Sequence, residues 1–235
     1  MKQEILKNKT IIITDRSFTI NTDGPLLASF IKLKKNSRIL DLCTGNGIIP
    51  IWLYDRGFMN ETVALDIQAQ AIDLLNKTIK LNRIEGITTI VTDLTNYISK
   101  EKYDIVCCNP PYYDRSSFPA SPDEKRRIVR SFDGDGITNV MISAKRNIKQ
   151  SGSFYCCFPP SCMKSFFEAM IKVGFSPKRI QFVRYNESMT PFVALMEAGQ
   201  KQSVSLEILP DIPAKINGKN NEVFDDIFSM GRIDD

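Results

Sequence analysis

Four short apolar runs alternate with helix-like segments in the first half of the chain, and this alternation restricts the topology more than any other feature. The runs are Ser37-Arg38-Ile39-Leu40-Asp41-Leu42, Thr62-Val63-Ala64-Leu65-Asp66-Ile67, Ile87 to Thr92, and Tyr103-Asp104-Ile105-Val106-Cys107-Cys108. Gly47 to about Arg56 reads as a helix between the first two. From Ala69 to about Asn82, Ala71, Leu74, Leu75 and Thr78 recur at helical spacing, with Ile72 and Ile79 alongside. Strands alternating with helices pair in parallel through right-handed crossovers, so an α/β fold with an open sheet is expected. Ligands of such sheets bind beyond the carboxyl ends of the strands. Here those ends carry Asp41, Asp66, Asp93 and Asn109.

Around this unit the signals are more local. Thr10–Thr14 and Phe18–Ile20 read as a hairpin turning at Asp15-Arg16, and Asp23 as the N-cap of a helix from Pro25 to about Leu33. Residues 113–135 show no period, as functional loops often do not. A helix from about Ile137 to Lys149 leads to a strand, Ser153 to Phe158. A helix from Ser161 to Val173 stops at Gly174, and Arg179–Tyr185 with Pro191–Glu197 reads as a closing hairpin. The expected division is an N-terminal hairpin and helix (1–36), a ligand-binding domain (37–201) and a tail (202–235).

Composition narrows the chemistry. The chain has 6 Cys and 0 His, which removes Ser-His-Asp, Cys-His and His-ligated metal chemistry together. With no Cys-x-x-Cys, the cysteines read as buried thiols in a reducing compartment, and no metal is expected. Adjacent strand residues face opposite sides, so Cys107-Cys108 and Cys156-Cys157 should each split between two packing layers. No apolar run approaches the roughly 18 residues of a membrane span, and the start lacks the marks of a signal peptide. A cytoplasmic location and no membrane partner are expected. Residues 202–235 hold 3 basic and 7 acidic side chains, so the rest carries a net +8 within the overall +4. A basic body suits a polyanionic partner, and equally an ordinary lysine-rich surface.

Asp41-Leu42-Cys43-Thr44-Gly45-Asn46-Gly47 links the first strand to its helix. Gly45 and Gly47 allow a sharp turn and a close ligand approach. Pro50 holds the third position of a dinucleotide fingerprint, and no Gly-Lys-Ser/Thr follows, so the ligand is not expected to present a pyrophosphate there. Asp66 is placed to accept from ribose hydroxyls, with Ile67 against an adenine face. Asp93 can accept from an exocyclic amine while the Leu94 N–H reaches a ring nitrogen. Each acid alone reads more readily as a helix cap or turn residue; together they outline a crevice for a nucleoside without phosphates. The fourth strand ends in Asn109-Pro110-Pro111-Tyr112, where the prolines stop the ladder and fix the direction of Asn109. An amide, prolyl carbonyls and an aromatic ring suit a flat amino group.

These residues resemble the class I S-adenosylmethionine-dependent methyltransferases of the Asn-Pro-Pro-Tyr group over about residues 17–200. The opening Ser17-Phe18-Thr19-Ile20-Asn21-Thr22-Asp23-Gly24-Pro25-Leu26-Leu27-Ala28 is similar to that of the bacterial tRNA(Val) adenine-N6 enzymes. The resemblance implies a Rossmann-like, seven-stranded, mostly parallel sheet with an antiparallel last strand and helices on both faces. It implies S-adenosyl-L-methionine held by Asp41 with Cys43, Gly45, Asn46 and Gly47 at the methionine part, Asp66 at the ribose, and Asp93 with Leu94 at the adenine; Ile67 and Asn109 complete the expected cofactor contacts. Asn109, Pro110 and Tyr112 would then be catalytic toward an adenine of tRNA, in a monomer. The family pattern carries an Arg-His-Glu-like segment after the motif; here Arg126-Arg127-Ile128-Val129-Arg130-Ser131-Phe132-Asp133 keeps the Arg alone.

Lys125, Arg126, Arg127 and Arg130, with Lys145 and Arg146, are candidate phosphate contacts, or a solvated helix face. Competing readings are amino-group methylation of rRNA, DNA or a protein glutamine, and a non-catalytic RNA-binding module on the same fold.

Overall fold

The computed structural model describes residues 1–110, 134–200 and 205–228. It opens with β1 (Lys2–Ile5), β2 (Ile11–Thr14) and α1 (Asp23–Phe30). The alternation follows as β3 (Ile39–Leu42), α2 (Ile48–Asp55), β4 (Thr62–Asp66), α3 (Ala69–Asn82), β5 (Ile87–Val91) and β6 (Tyr103–Cys108). Then come α4 (Gly134–Asn147), β7 (Ile148–Phe158), a 3-10 turn at Pro160–Cys162, α5 (Met163–Val173), β8 (Ser176–Asn186) and β9 (Val193–Gly199). The tail adds β10 (Glu207–Ile208), β11 (Ile212–Ile216), β12 (Lys219–Asn220) and α6 (Glu222–Phe228).

Seven strands form the expected Rossmann-like sheet in the order β5-β4-β3-β6-β7-β9-β8. Of these, β9, the last in sequence, runs antiparallel to both of its neighbours. β3, third from the β5 edge, pairs in parallel with β4 on one side and β6 on the other, with Leu42 level with both Leu65 and Cys108. Three strand ends thereby meet at one edge.

Apolar layers cover both faces. Leu26, Leu27, Trp52, Leu53, Leu75 and Ile227 pack from α1, α2, α3 and α6 on one side. Ile137, Met141, Phe166 and Met170 pack from α4 and α5 on the other. The adjacent cysteines split as their alternation requires: Cys107 and Cys157 enter the first layer, Cys108 and Cys156 the second. Each layer buries large side chains at roughly 25 cal/mol per Å² of apolar surface, as where Phe158 stacks on Phe166 at 4.1 Å between ring centres.

Two expectations are corrected. The N-terminal hairpin pairs β2 with Lys2–Ile5, not with Phe18–Ile20. The other edge of β2 is occupied by α3, with the Ile11 N–H donating to Asn82 Oδ1 at 2.8 Å and the Ile13 N–H to Thr78 Oγ1 at 2.9 Å. Asp23 is the first residue of α1 rather than its cap; the Asn21 carboxamide accepts the Gly24 N–H at 3.1 Å instead. The tail packs on the sheet. β10 and β11 both pair with β8, so the sheet has ten strands among the described residues.

α6 returns to cover α2. The Trp52 indole N–H donates to the Ile227 carbonyl at 3.0 Å, while Asp226 pairs with Lys7 and Arg56. Trp52→Phe keeps the ring buried and removes only that hydrogen bond, a loss of about 1 kcal/mol. Amide exchange across Glu222–Phe228 is expected to accelerate severalfold in this variant while β6 is unaffected. Hydrogen–deuterium exchange mass spectrometry checks it, and unchanged protection of α6 would show that the bond does not hold the helix down.

Candidate active site

The loop after β3 is shaped from beneath. Asp41 is fully buried and its carboxylate is used inside the fold. Oδ2 accepts from the Thr44 hydroxyl at 2.6 Å, and Oδ1 from the Cys107 thiol at 3.5 Å. The Thr44 N–H donates to the Leu65 carbonyl at 2.9 Å, and the Gly47 N–H to the Thr44 carbonyl at 2.9 Å. Cys43, Gly45 and Gly47 adopt left-handed φ values of 58°, 57° and 83°. At Gly47 a Cβ would lie 2.3 Å from Leu75 Cδ1, so the helix entry there requires glycine. At Gly45 a Cβ would meet nothing within 4 Å, so the backbone there borders open space. Asn46 is buried and its amide points inward, 3.4 Å from the Phe18 carbonyl.

Asp66 ends β4 and supports the same loop. Its Oδ2 accepts the Gly45 N–H at 2.9 Å and its Oδ1 the Gln68 N–H at 2.9 Å. A carboxylate offers about four lone-pair sites, so two further donors such as ribose hydroxyls can still be met. Ile67 beside it is 51% exposed, free to lie against a flat ring. Asp93, two residues past β5, closes an Asx turn, its Oδ1 accepting both the N–H and the hydroxyl of Thr95 at 2.7 Å. Leu94 packs against the second layer while its carbonyl accepts from Ser143 at 2.8 Å and Arg146 at 2.6 Å.

Asn109 follows Cys108 directly and is half-buried, with Pro110 buried behind it. Because Leu42 pairs with Cys108, Asn109 stands beside the first residues of the β3 loop. Its Oδ1 lies 3.1 Å from the Cys157 sulfur of β7. Sequence reasoning missed Cys157 and also Asp23, a half-buried acid whose charge is felt at Cys157. The missed signal was register. Cys108 pairs with Cys156, so the next step places Asn109 next to Cys157 on the same face.

Burial raises Asp23, Asp41 and Asp66 above the ordinary carboxylate range. Among the described residues no lysine or arginine pairs with any of the three. Buried acids without cationic partners, next to an open glycine turn, suit a ligand carrying positive charge. S-adenosyl-L-methionine, with its sulfonium and ammonium groups, fits. Cys43, Gly45 and Gly47 would hold it by backbone, Asp66 by carboxylate, and Asp41 from behind as a positioning residue.

The basic candidates fare differently. Lys145 and Arg146 occupy the last turn of α4, which feeds the start of β7, level with Tyr103 at the edge opposite Asn109. The Lys145 ammonium bonds the Val173 carbonyl, and Arg146 the carbonyls of Leu94 and Thr95. Both cations serve the fold, and phosphate contact is not assigned to them. Tyr112, Lys125, Arg126, Arg127 and Arg130 lie outside the described residues. The described residues contain no cluster of three or more His, Cys, Asp or Glu placed to hold a metal, and no helix long and apolar enough to cross a membrane.

Burial pushes the Asp41 carboxyl up to about 7, and the Asp66 charge adds to this against the hydrogen bonds from Thr44 and Cys107. Unfolded, an Asp titrates at about 3.9. Between these values the folded chain keeps a proton that the unfolded chain releases, so rising pH weakens the fold. Asp41→Asn carries no titrating group and escapes this loss. Its melting temperature relative to wild type is expected to rise from pH 5 to pH 8 in thermal denaturation; a constant difference would remove Asp41 as the titrating group.

Comparison with known proteins agrees with this geometry. The family model for the methyltransferase small domain matches residues 19–129. A Parabacteroides distasonis protein named tRNA1(Val) (adenine(37)-N6)-methyltransferase is 28% identical over 165 residues, 68% of this chain and 68% of its own. A Glaesserella parasuis protein of the same name is 26% identical over 228 residues, covering 85% of this chain and 92% of its own. Among solved structures, a predicted O-methyltransferase from Agrobacterium tumefaciens superposes with a TM-score of 0.70 at 16% identity, covering 87% of this chain and 94% of its own. The glycopeptide N-methyltransferase MtfA, solved with S-adenosylmethionine, gives a TM-score of 0.59 at 11% identity, over 76% of this chain and 88% of its own. The strand order, the glycine turn over buried acids and these relatives together support a Rossmann-like, S-adenosylmethionine-dependent methyltransferase.

Proposed function

We propose that this methyltransferase acts on the N6 amino group of an adenine in tRNA, next to the anticodon, as a cytoplasmic monomer. The observation that carries this reading is the position of Asn109-Pro110 at the end of β6, beside the β3 loop. The names of the relatives support the substrate.

The bound cofactor supplies an electrophilic methyl group. The chain supplies position. An adenine amino nitrogen is a poor nucleophile because its lone pair is delocalised into the ring. Its two N–H groups, donating to the Asn109 Oδ1 and the Pro110 carbonyl, are drawn toward tetrahedral geometry, which frees the lone pair for in-line attack. Orientation of this kind supplies much of the rate. The methylated amine loses its proton readily, so no strong base is needed, in keeping with a chain of 0 His. Tyr112 stacks on the target base once it leaves its loop, a contact worth roughly 1–3 kcal/mol. Lys125, Arg126, Arg127 and Arg130 follow it as phosphate contacts.

The test is methyl transfer from labelled S-adenosylmethionine to bulk unmodified tRNA, with nucleoside analysis of the product. N6-methyladenosine is the expected product. In Asn109→Ala, cofactor affinity stays within about twofold while transfer falls at least about a hundredfold. Near-normal turnover in that variant would overturn the mechanism. Transfer to rRNA, DNA or a protein glutamine, and not to tRNA, would overturn the substrate.

A further inference from the structure

We propose that Cys157 is the positioning residue for Asn109, its thiol holding the carboxamide with Oδ1 turned toward the strand of its neighbour and one oxygen lone pair left for the target amine. This rests on the reading of Asn109 as the residue that meets the acceptor amino group.

The geometry is specific. Cys157 is fully buried in β7, and its sulfur is 3.1 Å from Asn109 Oδ1. The parallel register of β6 on β7 sets the pair side by side, one step beyond Cys108 and Cys156. On the other strand edge, β9 fixes the height of Cys157 by pairing it with Leu195. Neither side chain needs a loop to reach the other.

Chemistry then fixes the orientation of the amide. Burial first, and the Asp23 charge second, push the Cys157 thiol up, so it stays protonated and donates. An S–H donor requires an oxygen, not an NH2, at the near end of the carboxamide. A carbonyl oxygen has two lone pairs, so Cys157 takes one and leaves the other for an N–H of the acceptor. Without the thiol, the flat amide of Asn109 is free to turn over and present its NH2, which repels the amine it must bind. The two cysteines of the first layer therefore divide the work at the sheet edge: Cys107 holds Asp41 behind the cofactor loop, and Cys157 holds Asn109 in front of it.

The experiment compares Cys157→Ala, Cys157→Val and Cys157→Ser with wild type by cofactor affinity, by kcat and KM on tRNA, and by the side-chain amide signals in a nitrogen–proton correlation spectrum. The Asn109 pair is identified by its absence in Asn109→Ala. Cys157→Ser, which keeps a donor, is expected to hold kcat within about threefold and to preserve the Asn109 amide pair. Cys157→Ala is expected to lower kcat about tenfold at constant KM and cofactor affinity, the scale of one lost hydrogen bond, and to shift or broaden that pair. Cys157→Val, which refills the volume without a donor, should match Ala and serves if Ala is too unstable to assay. Equal losses in Ser and Val, or an unmoved Asn109 pair in the donor-free variants, would overturn the assignment. If the wild type methylates no adenine at all, the substrate reading falls, and the amide spectrum alone still decides the role of Cys157.

Discussion

The hydrogen bond from the Gly45 N–H to Asp66 Oδ2 connects everything that makes this site. It joins the loop of one strand to the end of the next, so the turn after β3 cannot relax without moving β4. Asp41 braces the same turn from below through Thr44. Both carboxylates are thus used first to hold the turn, Asp66 through backbone N–H groups and Asp41 through the Thr44 hydroxyl and the Cys107 thiol. Their desolvation is costly when the site stands alone, and a cationic ligand offsets part of that cost. Affinity and loop geometry are in this sense one property, because the same burial that rigidifies the turn creates its appetite for positive charge.

A transfer that needs no strong base depends on placing groups. The parallel sheet suits that task, since its central strands end at one edge and their registers fix heights to within one residue. Asn109 and Pro110 follow β6 and Asp66 ends β4, the two strands that flank β3, so all three share one frame. Cys107 and Cys157 sit directly beneath, in the layer packed by α1, α2 and α6. The electrostatics therefore come from groups whose positions the core determines, which is the condition for orienting two reactants without reorganisation at the moment of transfer.

Where hydrophobic period decided structure, the sequence was legible. α3 runs Ala69–Asn82 and β6 runs Tyr103–Cys108, as their spacing and composition indicate, and the alternation alone led to the parallel order. The acids at the strand ends were visible because strands end where apolar runs end. Partners remote in sequence were not legible. β2 finds its second edge in Thr78 and Asn82, side chains of a helix that no local pattern connects to it. Lys145 and Arg146 look like a solvated basic face, yet their cations cap carbonyls on distant segments. β10 and β12 are two residues each, too short to show a period. Cys157 was visible as a buried thiol, but its role needed a register that only pairing defines.

The corner where α6 meets the N-terminal hairpin has a kinetic meaning. Lys7 and Asp226 are joined across 219 positions of sequence. A contact of that span contributes only after the intervening chain has found its place, since closing so long a loop is repaid last. The sheet and its glycine turn therefore assemble ahead of this closure. Contacts made after the rate-limiting step slow unfolding more than they speed folding, so the tail acts as a latch on the lifetime of the folded state.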